Sequence, residues 1–113
     1  MSAITTHILD TSRGRPASGV RVVLEVQADT GWKIVGQGRT DADGRLKDLL
    51  PAGVNLKIGL YRLTFQTSEY FAAQQVESFY PEVMISFSVA EAEAHYHVPL
   101  LLNPFGYSTY RGS

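Results

Sequence analysis

The sequence predicts an all-β fold, an antiparallel sandwich of seven or eight strands with one short helix, and three observations carry that expectation. Short runs rich in Val, Ile, Leu, Tyr and Thr recur between clusters of Gly, Pro, Asp and Ser, the pattern of strands joined by turns. Several runs alternate with period two, so each has one face for a core and one for something else. A single segment, Glu69-Tyr70-Phe71-Ala72-Ala73-Gln74-Gln75, has a helix-favouring composition. The 113 residues are expected to form one domain over 1–113, since domains commonly run to about 100–150 residues.

Taken in order, Ile4 to Leu9 form the first run, closed by Asp10-Thr11-Ser12-Arg13-Gly14-Arg15-Pro16, a loop by composition. Val20 to Val26 place Val22, Leu24 and Val26 on one face and Arg21, Val23 and Glu25 on the other. Asp29-Thr30-Gly31 turns the chain into Trp32 to Gln37, which pairs with the preceding strand. Thr40-Asp41-Ala42-Asp43-Gly44-Arg45 is the next turn, and Pro51-Ala52-Gly53 a break. From Gly59 to Thr67, Tyr61, Leu63 and Phe65 oppose Leu60, Arg62 and Thr64. Ser68 is the expected N-cap of the helix. Val83 to Val89, Ala94 to Leu102 and Gly106 to Tyr110 complete the strands.

Composition excludes whole classes of function. At 44 % hydrophobic and 19 % charged residues, the chain lacks the signature of disorder. A net charge of −1 and no Lys/Arg cluster leave nothing to hold a nucleic acid backbone or an anionic membrane. No run is long enough to span a bilayer, and Met1-Ser2-Ala3-Ile4-Thr5-Thr6-His7 does not read as a signal peptide. The absence of cysteine removes disulfides, thiolate nucleophiles and cysteine-ligated zinc. A cytoplasmic protein without a cofactor is expected.

Strand parity points to the chemistry. His95 and His97 share one face, while Tyr96, Val98, Leu100 and Leu102 take the apolar core face. The histidine face also carries Pro99 and Leu101, and the first strand sets His7 beside Leu9. Apolar residues on an outer face call for a cover, and a subunit interface is the natural one. Imidazoles, with an ordinary pKa of about 6.5, can divide the roles of proton acceptor and donor. A guanidinium from Arg45 or Arg111 would stabilise developing oxyanion charge. Asp41-x-Asp43-Gly44 lacks the flanking helices and final glutamate of a calcium loop and reads as a turn. Gly36-x-Gly38 reads as ordinary strand-end glycine. His-x-His has no obvious third metal ligand, and no Ser/His/Asp triad is assignable.

Three segments in order carry a family resemblance: Thr5-Thr6-His7-Ile8-Leu9-Asp10, Gly38-Arg39-Thr40-Asp41-Ala42-Asp43-Gly44-Arg45, and Tyr96-His97-Val98-Pro99-Leu100-Leu101-Leu102-Asn103-Pro104-Phe105-Gly106-Tyr107-Ser108-Thr109-Tyr110-Arg111-Gly112-Ser113. Together they resemble the 5-hydroxyisourate hydrolases of the transthyretin-like family, with Asn103 departing mildly from the more usual Ser. The resemblance implies a homotetramer of transthyretin-like sandwiches, with active sites at the dimer–dimer interface where His7, Arg45, His97 and the C-terminal segment meet. It further implies hydrolysis of 5-hydroxyisourate to 2-oxo-4-hydroxy-4-carboxy-5-ureidoimidazoline. His7, Arg45 and His97 would be catalytic, and Tyr110, Arg111 and Ser113, with its free carboxylate, would bind substrate. His95 is expected to be a surface residue whose loss leaves turnover nearly unchanged. Transthyretin carriers have lysine, glutamate and threonine where this chain has His7, Arg45 and His97, which sets the carrier reading second.

Overall fold

Alternating runs become paired sheets once each apolar face finds an opposing one. The computed structural model describes residues 3–51 and 53–113. Met1, Ser2 and Ala52 fall outside them, and with them the readings made over Met1-Ser2 and over the middle of the Pro51-Ala52-Gly53 break. In chain order the described residues form β1 (Ile4–Asp10), β2 (Arg15–Pro16), β3 (Arg21–Ala28), β4 (Gly31–Arg39), β5 (Arg45–Leu46), β6 (Gly59–Phe65), α1 (Thr67–Ala72), β7 (Val83–Val89), β8 (Tyr96–Asn103) and β9 (Gly106–Thr109). One sheet runs β2-β1-β8-β9, with β5 also paired to β1, and the other runs β4-β3-β6-β7.

The all-β expectation holds, and its seven long strands lie where alternation put them. Two further strands, β2 and β5, are two residues long, too short to show a period. One pairing departs from the antiparallel expectation: β1 and β8 run parallel, from Ile4 opposite Tyr96 to Asp10 opposite Leu102. Between the sheets, Ile4 and Ile8 of β1 and Tyr96, Val98, Leu100 and Leu102 of β8 meet Val22, Leu24, Leu63 and Phe65 of β3 and β6. Burial of such side chains contributes roughly 1.5–3 kcal/mol each. These are the faces that parity assigned to the core.

Two local readings need correction. The helix spans Thr67–Ala72 with Gln66 at its N-cap and no side-chain capping bond. Ser68 does not cap it, because its hydroxyl donates to the Pro81 carbonyl at 2.7 Å, while Thr67 and Phe71 bury and anchor the element. Gly36 is also more than strand-end glycine. A Cβ there would sit 1.7 Å from the Leu49 carbonyl oxygen, so only glycine lets the segment after β5 cross β4.

Asp10, fully buried at the end of β1, is satisfied from outside its strand. Its Oδ1 accepts from the Ser12 amide at 3.0 Å and hydroxyl at 2.6 Å, and its Oδ2 accepts from the Tyr70 hydroxyl at 2.7 Å. This bond ties α1 to the strand that carries His7.

Candidate active site

The site grows from the outward face of β1. His7 lies directly opposite Arg45 on β5 and Thr5 directly opposite His97 on β8, and directly paired residues share a face. Three strands thereby project Thr5, His7, Arg45 and His97 to one side of the sheet.

The turn before β5 holds this register. Asp41 Oδ1 accepts the backbone amides of Asp43 at 2.9 Å and Arg45 at 3.0 Å. The Arg45 amide foremost, joined by the Asp43 amide and the charges of Lys47 and Arg45, holds the Asp41 carboxyl below the usual range against a smaller opposing effect of burial. Gly44, at φ 74°, is a position where a Cβ would meet the Ile8 carbonyl oxygen at 2.4 Å. The Ile8 amide donates to the Gly44 carbonyl at 2.8 Å, which stitches the turn to β1. His7 completes the seam: its Nε2 lies 2.9 Å from the Asp43 carbonyl oxygen, so this nitrogen carries the hydrogen and Nδ1 is the one left to react. The segment is a turn, as its sequence predicts.

His97 Nδ1 is 2.8 Å from the Thr5 hydroxyl oxygen. Partial burial foremost, then the charges of Arg45, His7 and His95, pull its pKa below the ordinary imidazole value. A lowered pKa favours the neutral ring at physiological pH, the form that a proton acceptor needs. A cavity of about 220 Å³ is lined by Thr5, Thr6, Arg45, Lys47, His95, His97 and Ser113. His7 lies beside this lining, near enough for its charge to act on His97.

The C-terminal segment divides between two sides of β8. The β8–β9 pairing at Leu100 and Thr109, continued at the same register, reaches a bridge between His97 and Gly112. Pro99 has no amide hydrogen to sustain the ladder between them. The Gly112 amide donates to the His97 carbonyl at 2.8 Å. A Cβ on Gly112 would lie 2.6 Å from His97 Cδ2 and 3.2 Å from Pro99 Cγ, so glycine admits the His97 ring, and Pro99 is buried within its own chain. Ser113 faces the histidine cavity, whereas Tyr110 and Arg111 line a second cavity of about 340 Å³ beside β7. Arg111 stacks over Tyr96, 4.6 Å from the ring centre.

The structure thus brings Arg45, His97 and Ser113 together with His7 adjacent, and sets Tyr110 and Arg111 in the second cavity, which His97 also lines. It adds Thr5, Lys47 and His95. His95 is exposed, as a surface residue should be, yet its Nε2 is 3.2 Å from the Thr5 hydroxyl. Lys47 was readable from parity, two residues beyond Arg45. The face of Thr5 was readable likewise, two residues before His7, but its partners, about 90 residues away, were not. A larger cavity of about 490 Å³, lined by Arg13, Arg15, Arg39, Glu69 and Tyr70 among others, has no histidine.

Known proteins match this architecture along nearly its whole length. The HIUase/Transthyretin family matches residues 4–112. A 5-hydroxyisourate hydrolase of Salmonella dublin is 47 % identical over 110 residues, which are 97 % of this chain and 80 % of that protein. The structure of Klebsiella pneumoniae 5-hydroxyisourate hydrolase is 37 % identical with a TM-score of 0.85, covering 97 % of this chain and 98 % of that one. Sea bream transthyretin, solved in complex with thyroxine, is 30 % identical with a TM-score of 0.90, covering 98 % and 95 %. Fold likeness spans both the hydrolases and the carrier, while identity is higher to the hydrolases. On this evidence the chain belongs to the HIUase/Transthyretin family.

Proposed function

We propose that this protein hydrolyses 5-hydroxyisourate to 2-oxo-4-hydroxy-4-carboxy-5-ureidoimidazoline, a step in urate degradation. The observation that carries the reading is a partly buried imidazole and a guanidinium, His97 and Arg45, lining one cavity. Water is the nucleophile. His97 Nε2 takes its proton as it attacks the ring carbonyl, and Arg45 stabilises the oxyanion that forms. The carbon–nitrogen bond of the six-membered ring then breaks, leaving a carboxyl on one side and a ureido group on the other. His7 Nδ1, on a ring oriented by the Asp43 carbonyl, relays the proton that the departing nitrogen needs. Ser113 contacts the substrate. Tyr110 and Arg111 bind the substrate from the second cavity, which His97 also lines, on the segment that seats Gly112 against His97.

The reading includes a homotetramer. A cavity of about 220 Å³ is smaller than most small-molecule sites, which run to about 300–1,000 Å³, and a symmetry-related face would supply the missing wall. We also place the protein in the cytoplasm, a location that a cysteine-free composition suits. Among the described residues no helix is long and apolar enough to cross a membrane.

The test is direct. 5-Hydroxyisourate generated by urate oxidase decays spontaneously, and the loss of its ultraviolet absorbance should be faster with this protein present. The second reading, a small-ligand carrier, is favoured by the 0.90 TM-score to a transthyretin. It predicts ligand binding and an unchanged decay rate.

A further inference from the structure

Thr5 stands at the centre of a three-residue chain that reaches beyond the catalytic pair. Its side chain is 4 % exposed, and its hydroxyl oxygen lies 2.8 Å from His97 Nδ1 and 3.2 Å from His95 Nε2. Those two nitrogens are the hydroxyl's side-chain partners among the described residues. A hydroxyl has one hydrogen to give, and a buried donor left without an acceptor is costly. One ring nitrogen must accept that hydrogen while the other donates its own to the oxygen. The tautomers of the two histidines are therefore linked, although the rings, stacked at 6.4 Å between centres, share no direct hydrogen bond.

Resting on the hydrolase reading, we propose that His95 is a positioning residue that acts through Thr5 to set the tautomer of His97. Neutral His95 accepts the Thr5 hydrogen at Nε2. Thr5 then accepts from His97 Nδ1–H, which leaves Nε2 bare toward the cavity to receive the proton of water. Protonation of His95 reverses the chain: its Nε2 becomes a donor, the Thr5 hydrogen turns to His97 Nδ1, and the His97 hydrogen shifts to Nε2. The base is then lost while His97 itself is still neutral. The charged and titratable groups facing this chain are Arg45 and Lys47 from β5, His7 from β1, His97 from β8 and Ser113, with its carboxylate, which lines the same cavity.

Long-range proton–nitrogen NMR spectra of the imidazoles in the full chain, without substrate, read the tautomers directly. At neutral pH His97 should be protonated at Nδ1, against the preference of a free histidine side chain in water for the Nε2–H form. Thr5→Val and His95→Ala should each return it toward that form, and Thr5→Ser should keep the Nδ1–H state. His95→Gln should also keep it, because its amide oxygen can take the Thr5 hydrogen. In turnover, Thr5→Val should lower kcat by about 10-fold or more with KM held within about 2-fold. His95→Gln, whose amide does not titrate, should move the acid limb of the pH profile to lower pH than wild type.

An Nε2–H tautomer at His97 in the wild-type spectrum overturns the proposal even if no variant folds. So does an Nδ1–H tautomer that survives Thr5→Val. A protein that shows the predicted tautomers but leaves 5-hydroxyisourate to decay unaided refutes the hydrolase reading and leaves the chain of hydrogen bonds standing.

Discussion

His97 is held from two sides, by the Thr5 hydroxyl at Nδ1 and by the absence of a side chain at Gly112. Replacing His97 with alanine should cost about 100-fold or more in kcat if it performs the acid–base step, measured by the decay of 5-hydroxyisourate absorbance. Gly112→Ala should cost about 10-fold or more in kcat, because the added carbon displaces the ring by more than a general base can tolerate. A thermal melt should show little change, since Gly112 lies outside the core. Because burial and neighbouring cations lower the His97 pKa, an NMR titration should find its midpoint below the ordinary value of about 6.5. With neutral His97 as the proposed base, hydrolysis should be intact at neutral pH and lost on acidification. Parity made the outward placing of His95 and His97 legible in the sequence, since Tyr96 and Val98 between and beyond them are so plainly apolar. The role of Thr5 was not legible: parity sets it on the face of His7, but nothing local tells that a ring from the other end of the chain will meet it. In the structure Thr6 donates to the Val98 carbonyl at 2.6 Å in the interior, and its neighbour turns outward.

Elements depend on contacts that no single one of them encodes. At Gly36, alanine would place a carbon 1.7 Å from the Leu49 carbonyl, and Gly36→Ala should destabilise the protein by about 1–3 kcal/mol or more as the crossing segment is forced away. Urea unfolding followed by circular dichroism would measure it. Tyr70→Phe would leave Asp10 Oδ2 buried without its donor, at a cost of about 1–3 kcal/mol by the same method. The long strands were readable because each alternates through seven or more residues or, like β9, follows a clear turn. β5 was not readable as a strand, since Arg45 and Leu46 span a single alternation, and the sequence showed Arg45 only as the end of a turn. The helix cap was misread for a related reason: Ser68 has the right chemistry to cap, but the Pro81 carbonyl competes for its hydroxyl.

Across the whole molecule, exposed aromatics gather along one flank. Phe79 and Phe105 are 69 % and 65 % exposed, and Tyr80 packs edge-on against both Phe79 and Tyr107. The strands at the open edges of the two sheets, β7 and β9, border the same second cavity, so their unpaired backbone groups and these rings make a surface suited to a second copy of the chain. Sedimentation velocity should find the mass of four chains, with turnover per chain falling on dilution as the assembly separates; a monomer with undiminished turnover would remove the tetramer from the proposal. Sequence patterning foretold an interface on the histidine face, but Pro99 is covered by the chain's own terminal segment, a long-range contact that alternation cannot express. The parallel pairing of β1 with β8 was equally hidden, because hydrophobic period reveals which way a side chain points and says nothing of strand direction. That pairing has a consequence for biosynthesis. Strands β3, β4, β6 and β7 form their sheet from nearby segments, whereas β1 must wait for β8 to be translated before its backbone finds a partner on that side. High contact order of this kind slows folding, so hydrolytic competence should emerge only after β8 has been translated.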